Sequence, residues 1–518
     1  MRVLTTTELR VLELNSEYLG VARMMLMENA GAAVARVIRS KVEKGSRLVA
    51  VCGPGNNGGD GMVAARHLAG DYNVTTVLLA RPERIRSREA RANWEALKSL
   101  ELTVKLYVDP IGSIADGLLQ KADVVIDAIF GTGLRGRIAS PYKEVIEAMN
   151  STDAFKVAVD VPSGLNPDTG EIHGVAVKAD ITVTFHAPKP GLLKHGVDEY
   201  IGELIVEPIG IPAEAGLICG PGDVSAIKLN RSPWSKKGDY GRILVVGGSR
   251  VFTGAPALAA LASLRMGADL AAVFAPKEAS LTIKAYSPNL IVFPYKGEYL
   301  SLENVDELVK LAEKFDVVVV GPGLGLESET LEAVLEFFSK LTPGKRLVVD
   351  ADALKALARD LAVIRGFKAV LTPHAGELRI VSGIKVGESI DERVEAAKAL
   401  AKAVNSTVLL KGHVDVITDG EKVKLNRTGN PGMTVGGTGD VLSGVTATLL
   451  SWSGDPFRAA SAAAFINGLA GDLVALRKGY HILATDLLDA LPEAYKLSLN
   501  PSKCREVRPP ETGWLPVG

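Results

Sequence analysis

Two glycine-dense runs and a small set of oxygen-bearing side chains hold the chemistry of this 518-residue chain. The more telling run is 429–444, Gly-Asn-Pro-Gly-Met-Thr-Val-Gly-Gly-Thr-Gly-Asp-Val-Leu-Ser-Gly. Gly436, Gly437 and Gly439 leave backbone N–H groups free to converge on one point. The apolar stretch 441–452 predicts a helix whose positive dipole end lies at that point. Together they make an anion site suited to a phosphoryl group in transfer. Asp440 stands at the helix mouth, where a carboxylate can cap the helix or take a proton from a bound hydroxyl.

The other run, 53–61, reads Gly-Pro-Gly-Asn-Asn-Gly-Gly-Asp-Gly. It lies between a predicted strand at 47–52 and a predicted helix at 62–68, and it has neither dinucleotide-fingerprint nor Walker spacing. Two further strand ends are polar: Asp127, ahead of Gly131-Thr132-Gly133-Leu134-Arg135-Gly136-Arg137, and Asp160, ahead of Val161-Pro162-Ser163-Gly164. The carboxyl ends of adjacent parallel strands open on one crevice. Asn57, Asp127 and Ser163 could hold a hard cation there, and one carboxylate among neutral oxygens suits a monovalent ion better than magnesium. The same residue types also cap loops.

The elements that must position these residues alternate. Strands are expected at 74–79, 104–108, 123–129 and 156–160, with helices at 6–44, 86–99, 111–121 and 141–149. That is a doubly wound α/β pattern with a parallel sheet. Pro208, Pro212, Gly216, Gly220, Pro221, Gly222 and Pro233 then interrupt any regular element, which places a domain boundary near 216–224. The alternation resumes with strands at 242–246, 270–275, 290–294, 317–320, 346–349, 369–371 and 407–410. Asp419-Gly420 signals a hairpin between 414–418 and 422–425. Helices are expected at 255–266, 303–314, 328–340, 389–404, 456–478 and 484–497. The tail after Asn500 reads as an irregular end.

Strand ends of the second half again carry the special residues: Gly325, Asp350 and Asp352, His374 and Glu377, and Lys411 to Asp415. Gly325 permits close approach of a ligand. His374 can hydrogen-bond a substrate or serve the fold. Glu377 can reach magnesium through water. Asp350 and Asp352 orient the loop or cap a helix. The Lys411 charge can meet a phosphate.

Composition bounds the partners. Net charge is −1 with 23% charged residues, which gives no nucleic-acid or membrane bias. No membrane-spanning stretch and no signal peptide is expected, and Cys52, Cys219 and Cys504 have no metal or disulfide spacing. A cytoplasmic homo-oligomer is the expectation.

The runs Gly-Asn-Asn-Gly-Gly-Asp-Gly, Asp-Ala-Ile-Phe-Gly-Thr-Gly and Asp-Val-Pro-Ser-Gly, in this order, resemble the epimerase domain of the NAD(P)H-hydrate repair enzymes. The resemblance implies a Rossmann-like domain over 1–216. It implies hydrate contacts at Asn56, Asn57, Gly58, Gly59 and Asp60, at Gly131, Thr132, Gly133, Leu134, Arg135, Gly136 and Arg137, and at Tyr142 and Asp160. It also implies potassium at Asn57, Asp127 and Ser163. Arg135 and Arg137 would face substrate phosphates, and Asp160 would move the proton. The run 429–444 with the strand-end residues resembles the dehydratase half of the same enzymes. That implies a ribokinase-like α/β domain over 224–502 that uses magnesium and an adenine nucleotide, ADP in most members of prokaryotic type, with the choice between ADP and ATP open. Hydrate contacts would be Ala255, Gly325, His374 and Asp440; nucleotide contacts would be Lys411, Gly412, His413, Val414, Asp415 and Gly439.

The implied chemistry is repair of hydrated NADH or NADPH. Epimerisation would feed the one epimer that the dehydratase accepts. Hydroxide is a poor leaving group, so a phosphoryl group placed on the hydroxyl oxygen turns it into phosphate, which the ring nitrogen helps expel. Asp440 would be the base. The rival readings are a small-molecule kinase of the ribokinase-like superfamily fused to a nucleotide-binding domain, and a nucleotide sensor in which Asp440 only caps.

Overall fold

The computed structural model describes residues 2–228 and 230–507. The chain divides into two compact units, Met1–Ala213 and Glu214–Gly518. The segment 214–226, where the sequence suggests a break, goes with the second unit. Its Cys219 N–H donates to the Leu425 carbonyl at 2.9 Å, and Lys424 Nζ lies 2.6 Å from Asp223.

The first unit has seven strands: β1 Arg47–Cys52, β2 Asn73–Leu78, β3 Val104–Val108, β4 Val124–Ala128, β5 Phe155–Val159, β6 Ile181–Phe185 and β7 Glu203–Glu207. They run parallel in the order β3-β2-β1-β4-β5-β6-β7. The order reverses between β1 and β4, and their carboxyl ends form the binding crevice of such a sheet. β4 is buried along its whole length, as an apolar central parallel strand should be.

The helix after β1 begins at Asn56, six residues before the expected start. The glycines therefore belong to the helix rather than to a loop, and close packing is the reason. A Cβ on Gly58 would lie 1.9 Å from the Gly53 carbonyl, and one on Gly61 would lie 2.4 Å from Ala128 Cβ. The helix can approach the sheet this closely only without those side chains. β6 and β7 were not expected from the sequence, since proline and glycine crowd the segment before β6 and half-buried β7 is a short edge strand.

The second unit has nine strands: β8 Arg242–Val246, β9 Leu270–Pro276, β10 Ile291–Tyr295, β11 Val317–Val320, β12 Arg346–Val349, β13 Lys368–Leu371, β14 Thr407–Leu410, β15 Asp415–Thr418 and β16 Val423–Asn426. Their order is β10-β9-β8-β11-β12-β13-β14-β15-β16, parallel except for the closing hairpin β14-β15-β16. The helix Thr438–Ser453 starts at Thr438, so Gly439 is already helical. It crosses the helix Gly254–Met266 so closely that a Cβ on Gly444 would lie 2.0 Å from the Ala259 carbonyl. The helices Lys277–Tyr286, Ala351–Leu357 and Ala375–Ser382 each follow a strand end or its polar motif, and that junction made them read as loop.

Two expectations need correction. Pro456–Lys478 is long and apolar enough to cross a membrane, but 94% of its apolar window is buried inside the protein. The tail is helical over Pro501–Glu506, with Asn500 accepting from the Lys503 N–H at 3.2 Å; residues 508–518 lie outside the described residues.

Each unit has its own sheet and buried core. A fragment ending at Ala213 should therefore melt cooperatively by itself and interconvert the two hydrate epimers without nucleotide. A folded fragment that leaves a pure epimer unchanged would contradict the division of labour.

Candidate active sites

At the crevice of the first unit, Asp127 is fully buried at the end of β4. Its carboxylate accepts from Ser163 Oγ at 2.6 Å and from the Ser163 N–H at 2.7 Å. Ser163 Oγ also accepts from the Phe130 N–H at 2.8 Å. Burial pushes the Asp127 pKa up to about 6 against these hydrogen bonds. Asn57 stands beside the same turn, since a Cβ on Gly131 would lie 3.2 Å from its amide. Its Nδ2 is buried without a hydrogen-bond partner. The three expected cation ligands thus surround one turn, 129–131. Thr132, Gly133, Arg135, Gly136 and Arg137 lie exposed on the loop beyond it, with Leu134 half-buried. The Tyr142 ring packs on Phe130 at 4.8 Å between centroids.

Asp160 ends the neighbouring strand in the left-handed region, φ 65°, as does His186 at φ 63°. Strained non-glycine residues persist where the surroundings over-determine them, and they gather at functional sites. The surroundings here are a buried lysine that sequence reasoning missed. Lys189, with 1% of its side chain exposed, pairs with Asp160 and donates to Thr184 Oγ1 at 2.8 Å and to the Phe185 carbonyl at 3.3 Å. Nothing in the sequence around Lys189 marks it, because only the fold of 161–189 returns it to Asp160.

At the site of the second unit, Lys411 follows β14 and its Nζ lies 3.0 Å from Asp350 and 3.8 Å from Glu377. Burial disfavours the Lys411 charge, but Asp350 and Glu377 outweigh it and raise the pKa. Asp350, buried, also accepts from Ser443 Oγ at 2.5 Å, which ties β12 to the helix after the glycine run. A Cβ on Gly439 would lie 3.4 Å from Lys411 Nζ, so the lysine and the anion loop share one space. The loop is pinned from below: Asp472 accepts from the Gly429 N–H and from Asn430 Nδ2, each at 3.0 Å.

Asp440 settles one alternative. Among the described residues no donor hydrogen-bonds its carboxylate, and the helix has no side-chain cap. It is not a cap. Burial first, then Asp350, push its pKa up to about 7; Lys411 opposes, while Asp352 and Glu377 add to the rise. A half-buried carboxyl poised near neutrality is suited to proton transfer.

The remaining residues divide between support and contact. Asp352 accepts from the Gly325 N–H at 3.0 Å and so orients that loop; Asp350 makes no helix cap. Ala255 lies against the same turn, 3.4 Å from where a Gly323 Cβ would be. His374 Nδ1 accepts from the N–H groups of Gly376 and Glu377, while Glu377 accepts from the His374 N–H at 2.9 Å. That capping box makes Nδ1 structural, while Nε2 lies 3.6 Å from Glu377 Oε1. Gly412 and His413 are exposed and Val414 half-buried on a turn held by Asp415, which accepts from the Gly412 N–H at 2.9 Å. Arg393, missed in the sequence, braces that turn by donating to the Lys411 carbonyl at 3.0 Å. Ser443 was missed too, because a serine one helical turn after Asp440 reads as ordinary helix.

Comparison with known proteins identifies the family of each unit. The family model described as YjeF-related protein N-terminus matches residues 23–191, and the one described as NAD(P)H-hydrate dehydratase matches residues 243–493. The bifunctional NAD(P)H-hydrate repair enzyme of Pyrobaculum aerophilum is 49% identical over 96% of this chain and 98% of its own. That of Hyperthermus butylicus is 47% identical over 95% and 92%. A crystal structure of an ADP/ATP-dependent NAD(P)H-hydrate dehydratase from Bacillus subtilis with ATP and magnesium aligns at a TM-score of 0.47 and 28% identity, over 54% of this chain and 98% of that one. The chain belongs to the family of bifunctional NAD(P)H-hydrate repair enzymes, joining an epimerase to a dehydratase.

Proposed function

We propose that the dehydratase uses ADP and that Asp440 is its base. The single observation that carries this reading is the half-buried Asp440 carboxyl, free of any hydrogen bond among the described residues, beside Lys411 and the glycine run. Asp440 takes the proton of the hydrate hydroxyl as that oxygen attacks the terminal phosphorus of ADP. The bond to AMP breaks. The Lys411 ammonium and the 436–439 N–H groups meet the charge on the transferring group. The phosphorylated oxygen then leaves as phosphate with the help of the ring nitrogen, a proton leaves the adjacent ring carbon, and the ring double bond returns. Glu377 would hold magnesium through water, and that ion supplies charge neutralisation on the phosphates. Ala255, Gly325 and His374 position the hydrate, with His374 Nε2 as donor. Lys411–Asp415 and Gly439 carry the nucleotide. Omitting ADP tests the assignment: NADH recovery should stop while epimer exchange continues, and recovery without any nucleotide would overturn it.

In the first unit, residues 56–60, 131–137, Tyr142 and Asp160 hold the hydrate, and Asp160 moves the proton. Potassium fits at Asn57, Asp127 and Ser163. Among the described residues Asp127 is a buried carboxylate with no cationic partner, and the Asn57 amide, unpartnered there too, can turn its oxygen inward. Asp127→Ala should abolish potassium-dependent epimerisation and leave dehydration intact. Epimerisation that keeps its potassium response in this variant would rule the site out.

A further inference from the structure

Epimerising the carbon that bears the hydroxyl needs two proton transfers. The hydroxyl must leave as water, which requires an acid, and water must return on the other face, which requires a base. Asp160 supplies only one of these roles.

A second carboxyl stands at the same end of the sheet. Asp60 lies in the opening turns of the helix Asn56–Leu68, which follows β1, while Asp160 follows β5, with β4 between them in the sheet. Asp60 is half-buried, and among the described residues no donor hydrogen-bonds its carboxyl. The charged groups that face it are Asp160, Glu13 from the helix Thr6–Leu19, and Lys189. Lys189 is engaged with Asp160. One carboxyl of the pair thus has a cation and backbone N–H support, and the other has neither.

We propose that Asp60 is the general acid of the epimerisation, with Asp160 as its partner base; the assignment rests on the reading of this crevice as the hydrate site. Asp60 gives its proton to the leaving hydroxyl oxygen. The carbon–oxygen bond breaks, the ring-nitrogen lone pair forms a carbon–nitrogen double bond, and water is released. Water then adds to the other face of that carbon. Its lone pair makes the new carbon–oxygen bond, the double-bond electrons return to nitrogen, and Asp160 takes the extra proton. Exchange with solvent restores both carboxyl groups, and the opposite conversion uses them in reversed roles. The electrostatics agree: burial, then Asp160 and Glu13, hold Asp60 well above the ordinary carboxylate range, with Lys189 opposing. Such divergent environments separate the acid from the base in a carboxyl pair. Glu13, raised by burial, is countered by Arg10 and further affected by Asp160, Lys189 and Arg23.

The test uses the full chain without nucleotide and follows a single purified hydrate epimer by chromatography. Asp60→Asn should slow epimer exchange by roughly 10²-fold or more while hydrate affinity, read by calorimetry, changes little. Asp60→Glu, which keeps an acid, should recover part of the rate. The wild-type rate should fall on the alkaline side, and the residual Asp60→Asn rate should lack that limb. An unshifted melt of the first unit in scanning calorimetry serves as the folding control. If Asp60→Asn exchanges epimers near the wild-type rate while Asp160→Asn does not, Asp60 is not the acid and the crevice reading stands. If both variants keep full activity, the crevice reading itself fails. A loss of hydrate affinity in Asp60→Asn with the exchange rate at saturating hydrate unchanged would make it a binding residue only and overturn the proposal.

Discussion

Asp440→Asn should leave a chain that folds, binds ADP and interconverts hydrate epimers, yet recovers NADH roughly 10²- to 10⁴-fold more slowly, the usual contribution of a positioned base. The shape of the residue is unchanged, and no hydrogen bond to the carboxylate is lost, because it makes none among the described residues. Stability should hold, since a half-buried carboxyl strained toward its neutral form is replaced by a neutral amide. Lys411 keeps Asp350 and Glu377 as partners, so its orientation toward the phosphates survives. The pH profile gives a second readout. A base works only when ionised, so kcat/KM for NADH recovery should fall as pH drops through about 7, where Asp440 takes up its proton. The residual rate of the variant should lack that limb. A variant that melts normally, binds ADP and recovers NADH near the wild-type rate would remove Asp440 as the base.

Lys189→Met should be among the most damaging single changes in the first unit. It removes one member of a buried ion pair and leaves the Asp160 carboxylate without its cation. Breaking such pairs from one side costs about 3–5 kcal/mol. The lower end applies here, because 14% of the Asp160 side chain is exposed and water can reach it. Two further hydrogen bonds donated by the ammonium disappear as well. Scanning calorimetry of the full chain should show the first unit melting earlier and the second unmoved. Adding Asp160→Asn should return part of the loss, since the stranded charge is then gone. If Lys189→Met melts like the wild type, the pair does not hold Asp160 in its left-handed conformation.

Most of the sheet was legible from residue pattern alone. Buried parallel strands are continuous apolar runs, and Val317–Val320, Arg346–Val349 and Thr407–Leu410 were located to the residue for that reason. Glycines misled wherever they served packing. Residues 56–61 and Gly439 look like loop, yet they are helical, because a close helix–sheet or helix–ligand approach favours the same residue as a turn does. The motif-bearing candidate residues stood out because strand ends cluster in a parallel α/β fold. Lys189, Arg393 and Ser443 were not visible. Each acts by reaching a residue far away in sequence or one helical turn away, and no local spacing encodes that contact. The cap reading of Asp440 was open in the sequence and is closed by the absence of any N–H on its carboxylate among the described residues.

The most direct test of the account follows one oxygen atom. The hydrate epimer that the dehydratase accepts is prepared with ¹⁸O in its ring hydroxyl and turned over with ADP by the full chain carrying Asp160→Asn, which keeps epimerisation from washing out the label. If a phosphoryl group is placed on that oxygen, NADH should appear with the ¹⁸O in inorganic phosphate, in equal amount. Label found in water, with unlabelled phosphate or none, would contradict phosphoryl transfer to the hydroxyl as the step that makes it leave.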